Sequence, residues 1–360
     1  MPEPSAFHVE PPLRQSWPAP ARPRPIVLIG AGGIADSAHL PAYRDAGLQV
    51  VGVFDVKPEA AAALAQRHGI RHVFSSLAQA TEEPNAVFDV AVPAGQVLNV
   101  VESLPAGAAV LIQKPLGRDL AEAQRIASVC AARRLTAAVN FQLRFSPNML
   151  ALRDALSRSL LGTVRDVELR VNVLTPWQLW DFLEGIPRHE ILYHSVHYLD
   201  LLRSLFGEPR SVLCRVTRNP ATPRLSDTAS AIVLDYGPYL RVLVSTNHAH
   251  DFGARHAMSE LKVEGTAGAA IAKLGVNLDY PRGAPDELEL ALGQPWQSVA
   301  LRGSWFHQAF AGPMQNLQRF VSGEDDTLHT RVSDALYTMA LVEACYESSA
   351  NPGTPLPQLL

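Results

Sequence analysis

The apolar positions divide the chain into two regimes. In the first, short unbroken apolar runs alternate with helical stretches. Ile26-Val27-Leu28-Ile29 ends at Gly30, Val50 to Phe54 ends at Asp55, and Val87 to Val92 ends at Pro93. Ala109 to Gln113 ends at Lys114-Pro115, and Leu135 to Asn140 closes the series. Runs without polar alternation suit strands covered on both faces. The segments between them, to about Gly47, from Pro58 to about His68, Val97 to Leu104 and Leu120 to Arg134, carry helical spacing. The order predicts βαβ units around a parallel sheet. After about Phe145 the pattern changes. Asn148 to Leu161 reads as a helix stopped by Gly162, and Val164 to Val173 alternates as a half-buried strand. Glu190 to Phe206 is a helix ended by Gly207. Ser211 to Val216, Ala229 to Leu234, Leu240 to Thr246 and Glu260 to Val263 are further strands, and Gln315 to Val321 and Val332 to Ser348 are late helices. The expectation is an α/β Rossmann domain over 25–145 and an α+β domain with a large, mostly antiparallel open sheet over 146–360. A proline-rich extension over 1–24 precedes them. An open sheet has a second face to cover, so a homodimer or homotetramer is expected through it.

Composition narrows the class. The chain has 360 residues, 47% apolar and 18% charged, with a formal net charge of -4. A mildly acidic protein lacks the basic face a nucleic acid needs. No apolar stretch is long enough to span a bilayer, and the first 24 residues hold no apolar core of a secretory signal. Cys130, Cys214 and Cys345 are an odd, sparse set without a CxxC pair, which fits a reducing cytoplasm better than a disulfide framework.

Gly30-Ala31-Gly32-Gly33-Ile34-Ala35 follows a predicted strand and opens a predicted helix, the context in which G-x-G-x-x-G/A binds a dinucleotide. Gly30 permits the tight turn, Gly32 lets backbone approach a pyrophosphate, and the helix N-terminus offers free N–H groups to it. Asp55, at the end of the second strand, suits a carboxylate on the ribose hydroxyls and repels a 2′-phosphate, which favours NAD over NADP. Lys57, in the same loop, argues the other way. As a structural alternative, Asp55 caps the helix that follows.

With these landmarks in place, the chain resembles the Gfo/Idh/MocA family of NAD(P)-dependent oxidoreductases. The resemblance runs from Pro25 over nearly the whole chain. It rests on the glycine turn, His39-Leu40-Pro41-Ala42, Gln113-Lys114-Pro115, His197-Tyr198-Leu199-Asp200 and Glu264-Gly265-Thr266-Ala267-Gly268. It implies hydride transfer between a nicotinamide and a hydroxyl or carbonyl carbon of a sugar, sugar acid or cyclitol. By the same resemblance Lys114 and His197 are catalytic, and Gly30, Gly32, Gly33, Ile34, Asp55, Pro93, Gln113 and Lys114 hold the cofactor. Three departures stand out. Gln113 replaces the usual glutamate, removing a negative charge that would raise a lysine pKa. Tyr193 occupies the position, four before His197, where an aspartate is common. The spacing places the two side chains on one face of a regular helix, and Tyr193 is taken as a third catalytic residue that orients the substrate oxygen. Val97 stands where many relatives carry histidine. Asn140 and Arg144, after the last strand of the first domain, and Trp177, Trp180 and His194 are expected to contact substrate. Each also has a structural reading: core packing for the tryptophans, an acidic neighbour for Arg144. Glu190, His194 and His197 share a helix face, but without a third histidine or a cysteine cluster nearby no metal is expected. Two other functions fit the same residues: a non-catalytic NAD- and sugar-binding regulator, and a glycoside-cleaving relative that uses NAD transiently.

Overall fold

The computed structural model describes residues 9–280, 282–293 and 295–357. The first eight residues of the expected extension lie outside them. The chain forms two compact units, each drawn from two segments. One comprises residues 1–157 and 299–339, the other 158–298 and 340–360.

The first unit is built on six parallel strands, β1 (Ile26–Ile29), β2 (Val50–Phe54), β3 (His72–Val73), β4 (Val87–Val90), β5 (Ala109–Ile112) and β6 (Thr136–Val139). Their spatial order, β3-β2-β1-β4-β5-β6, is that of a doubly wound dinucleotide fold, with its switch point between β1 and β4. β1, β4 and β5 are buried at every position, in keeping with their apolar sequences, which only Asp89 of β4 interrupts. The linking helices are α1 (Leu40–Asp45), α2 (Pro58–His68), α3 (Leu77–Thr81), α4 (Val97–Ser103) and α5 (Leu120–Ala132). Ser76 and Asp119 cap α3 and α5 by accepting from the amides of Gln79 and Glu122, each satisfying one orphan N–H of a first turn.

The unit also takes in α6 (Pro147–Ser157) and α8 (Ala311–Val321). Met314 and Leu317 of α8 enter the core of Ile26, Tyr43, Leu111 and Ala138. At Gly312 a Cβ would stand 2.4 Å from Phe145 Cβ, an approach only glycine permits. The proline-rich extension, from residue 9 on, is anchored. The Trp17 indole packs edge-on against Phe145 and His329 and donates to Asp325 at 2.9 Å, and the amides of Ala21 and Arg24 donate to Glu324 and Gln318.

The second unit holds an eight-stranded sheet of β7 (Val164–Asn172), β8 (Ser211–Thr217), β9 (Ala229–Asp235), β10 (Arg241–Asn247), β11 (Met258–Gly265), β12 (Ala269–Lys273), β13 (Glu287–Ala291) and β14 (Gln297–Ser298). The order is β14-β13-β12-β11-β7-β10-β9-β8. Only β7 and β10 pair in parallel, so the sheet is mostly antiparallel. Burial alternates strictly along β9, β10 and β11, the signature of a sheet with one face in the core. α7 (Val196–Phe206) is buried over its first two turns. α9 (Val332–Ala350) ends the regular structure.

Candidate functional site

The glycine turn lies where β1 ends. Gly30 has φ +107°, and a Cβ there would fall 2.4 Å from the carbonyl oxygen of Ala91, so that residue is glycine for the fold itself. Gly32 and Gly33 are different. Both are exposed, and no protein atom lies within 4 Å of a Cβ built on either. No protein atom demands their smallness, and a turn of this kind leaves the backbone open to approach by a ligand. Asp55 accepts from the Ala31 amide at 2.7 Å and from the Lys57 amide at 2.8 Å, and so pins the turn to the end of β2. It does not cap α2, whose N-cap Lys57 has no side-chain bond. The helix after the turn contains a π turn, Ala35–His39, of the kind that gathers at functional sites.

Lys114 follows β5, at the carboxyl end of the sheet, where ligands bind in open α/β folds. Its peptide bond to Pro115 is cis. Burial of the amine pulls its pKa down to about 8, because a cation loses its hydration there. Gln113 positions it: Oε1 accepts from the Lys114 amide at 2.9 Å, and Nε2 approaches His39 Nε2 at 3.3 Å. Since Oε1 is committed to an N–H, the Gln113 nitrogen is the donor and His39 Nε2 the acceptor. Asn140 Nδ2 meets the same nitrogen at 3.3 Å, and His39 Nδ1 therefore donates to Asp89 at 2.7 Å. Tyr43 donates to the same Asp89 oxygen. His39, Asp89 and Asn140 are wholly buried. Asn140 is thus part of the support under Gln113. Arg144 is likewise taken up inside the unit, paired with Asp334 at 2.7 Å and bonded to the carbonyl of His329. Pro93 precedes a short 3-10 turn, Ala94–Gln96. Val97 is fully buried in α4, a core position with no opening to a ligand, and Ile34 packs beside Phe310 and Ala311.

In the second unit, His197 and Tyr193 fall on different kinds of helix. His197 is buried in α7, but Tyr193 lies in a π turn, Ile191–Ser195, that precedes it. The Tyr193 amide bonds four residues back to His189, but that of Val196 bonds five back to Ile191, so the stretch from Tyr193 to His197 is not regular α-helix. Its ring meets Phe182 at 5.9 Å. Trp177 is an aromatic hub, 4.2 Å from His189, 5.3 Å from His248 and 6.2 Å from Trp180 between ring centroids. His194 stacks edge-on with His248 at 4.1 Å. Glu190, wholly buried, accepts from Ser195 Oγ at 2.5 Å and meets His248 Nε2 at 3.2 Å. Burial raises its pKa, and the interactions with His248, Ser195 and Ser230 outweigh it, holding the carboxyl below its ordinary value. Asp227 accepts from the amides of His189 and Glu190 at 3.0 and 3.1 Å. His248 and Asp227 escape sequence reading because they reach the helix from the residue after β10 and from the residue pair before β9. No local spacing links them to Glu190.

Known proteins match over most of this length. The chain is 26% identical over 338 residues to a D-apiose dehydrogenase of Paraburkholderia graminis, covering 89% of this chain and 86% of that one. It is 24% identical over 332 residues to an inositol 2-dehydrogenase of Rhizobium meliloti, covering 90% and 96%. A solved oxidoreductase from Agrobacterium radiobacter, in complex with NAD+, L-tartaric acid and magnesium, superposes with a TM-score of 0.77 at 20% identity over 92% of this chain and 97% of that one. Residues 24–141 match the model of an oxidoreductase family's NAD-binding Rossmann fold, and residues 153–357 match that of its C-terminal alpha/beta domain. With the β3-β2-β1-β4-β5-β6 sheet and the open eight-stranded sheet in the same order along the chain, this protein belongs to the Gfo/Idh/MocA oxidoreductase family.

Proposed function

We propose that the protein transfers hydride between NAD and a carbinol or carbonyl carbon of a sugar, sugar acid or cyclitol. The observation that carries the reading is Lys114: an amine at the carboxyl end of β5, desolvated until its pKa lies near 8 and set in place by Gln113. A general base works best with a pKa near the operating pH. The substrate class follows the named activities of the relatives, which act on apiose and inositol.

Gly30, Gly32, Gly33 and Ile34 would hold the pyrophosphate side of the cofactor and Asp55 the ribose. Pro93, Gln113 and Lys114 would border the nicotinamide. The open space beside Gly32 and Gly33 fits that use. When bound, the nicotinamide supplies the hydride acceptor or donor. Lys114 holds the substrate hydroxyl and takes its proton, His197 accepts or relays a proton, and Tyr193 orients an oxygen from the π turn. Trp177, Trp180 and His194 present aromatic and polar surface to the substrate. Asn140 and Arg144 act at a distance, the first through His39, the second through Asp334. The Asp55 carboxylate favours NAD over NADP. The buried free thiols fit a reducing cytoplasm, and the exposed face of the second sheet fits a homo-oligomer.

Lys114→Met keeps most of the side-chain volume and removes the amine. Folding and NAD affinity are expected to persist while kcat falls by about 10²–10⁴, the usual worth of a positioned acid–base group. His197→Asn is expected to slow turnover too. NADH formation followed at 340 nm over a polyol and sugar panel tests this. Turnover by Lys114→Met at the wild-type rate sinks the assignment. Full NAD binding with no turnover of any polyol favours the regulatory alternative. Asp55→Ala is expected to weaken NAD and narrow the preference over NADP in fluorescence titrations; a wild-type protein that binds NADP more tightly overturns that part.

A further inference from the structure

We infer that Glu190, His194 and His248 form a binding site for one divalent metal ion of the zinc type. One donor atom from each lies within 4.8 Å of the others, and no ion is present. Two nitrogens and a carboxylate oxygen are the donor set of catalytic zinc sites, which leave a further position open to an oxygen ligand.

The pair geometry is specific. Two donors about 2.0–2.2 Å from a tetrahedral ion stand about 3.3–3.6 Å apart, and His248 Nε2 and Glu190 Oε1 are 3.2 Å apart. His248 Nδ1 is 2.7 Å from Thr175 Oγ1. Where Nδ1 is the donor, that hydrogen bond is the one a metal-binding histidine makes with its other nitrogen, and Nε2 is left as a lone pair. In that tautomer a cation between Nε2 and Oε1 satisfies both; in the other, Nε2–H donates to Glu190. Glu190 carries a second requirement. It is wholly buried, and no hydrogen bond of ordinary geometry reaches its Oε2. A buried carboxylate oxygen left this way is costly unless something positive meets it.

The surroundings hold the donors in place. Asp227 fixes the backbone at Glu190, and Tyr346 donates to Asp227 at 3.2 Å. The π turn carries His194, and Trp177 walls both imidazoles. All these residues belong to the second unit, so the site stands whether or not the hydride reading holds.

The test uses the full chain, stripped of metal with a chelator and titrated with Zn2+ alone in a calorimeter, without cofactor or substrate. One Zn2+ per chain is expected. Glu190→Gln and His248→Asn are expected to weaken binding by about 10² or more, and Thr175→Val by about tenfold, the range of a lost outer-shell partner. Co2+ added to the wild type is expected to give the visible absorption of a low-coordinate site, which Zn2+ then displaces. Wild type that takes up neither ion stoichiometrically overturns the proposal, as do folded variants that bind like wild type. In either case the contact between His248 and Glu190 is a hydrogen bond and not a metal site. If the variants do not fold, the cobalt spectrum of the wild type decides.

Discussion

Gln113 makes two opposed contacts through one amide, and a carboxylate could not make both. Its oxygen accepts from the Lys114 amide and its nitrogen donates to His39 Nε2. Glutamate at this position keeps the first bond. It loses the second unless His39 takes up a proton, and it sets a negative charge beside a desolvated amine. Opposite charge at close range raises a lysine pKa, by about 1–3 units when near and buried. Oxidation by the wild type is expected to rise with pH through about 8, as Lys114 loses its proton. In Gln113→Glu the ascending limb is expected to move upward by about one unit or more while kcat on its plateau changes less. A pH–rate profile that does not move means that Lys114 is not the group it reports. The place of Lys114 was legible from the sequence because it is local: a strand end, a lysine, a proline. The glycine turn was legible for the same reason. The support under Lys114 was not, since His39, Asp89 and Asn140 come from different elements and meet only in the folded sheet.

At the level of elements, the return of residues 299–339 to the first unit creates an environment with a pH signature. His329 lies beside Arg144 and Arg153 and against Trp17, and its pKa is lowered to about 4, chiefly by burial and then by the two arginines. A histidine that is neutral when folded and protonated when unfolded contributes stability that is complete above its ordinary value near 6.5. That contribution is lost as pH falls toward about 4, because the unfolded chain binds the extra proton. Stability by denaturant titration is therefore expected to decline from pH 6.5 to 4, and His329→Gln to remove part of that slope without altering its value above pH 7 by a similar amount. An unchanged slope would show that other groups carry the acid sensitivity. Periodicity gave no warning of this arrangement. In the first unit β1, β2, β4, β5 and β6 were readable as mainly apolar runs, and the helices after β1, β2, β4 and β5 from their helical spacing. α8 carries its core residues, Met314 and Leu317, among glutamine, asparagine and arginine, and its membership in the first unit depends on contacts with β5 and β6 distant in sequence. β3 has two exposed residues, and β12 is an Ala-Ala-Ile-Ala-Lys segment; neither has enough apolar contrast to announce a strand. The π turn before α7 was hidden too, because the residues of Ile191–Ser195 also suit a regular helix.

At the scale of the whole molecule, the second sheet offers a face that a single chain leaves exposed. One row crosses six strands: Leu213 opposes Val233, Val233 opposes Leu243, Leu243 opposes Glu168, Glu168 opposes Lys262, and Lys262 opposes Ile271. Leu213 is 71% exposed and Val233 41%, while Ile232 and Leu234 on either side of Val233, and Cys214 beside Leu213, are buried on the opposite face. Period-two alternation would place polar residues at both exposed sites in a sheet made for water. Instead the row is apolar at one end and carries opposite charges, Glu168 and Lys262, near its middle. A two-fold axis through such a face would set apolar residues against apolar ones and let the charges pair across it. Burial of about 800 Å² per chain is the standard for a stable interface, and a face of eight strands has room for it. The protein is expected to elute and scatter light as two or four times its 39.0 kDa chain mass. Leu213→Glu with Val233→Glu would place two like charges per chain at the contact, opposed by their symmetry mates. That variant is expected to shift toward monomer while its circular dichroism stays native, because both side chains already lie outside the core. Wild type that scatters only as a monomer at micromolar concentration removes the interface, and a double variant that remains fully assembled moves it to another face.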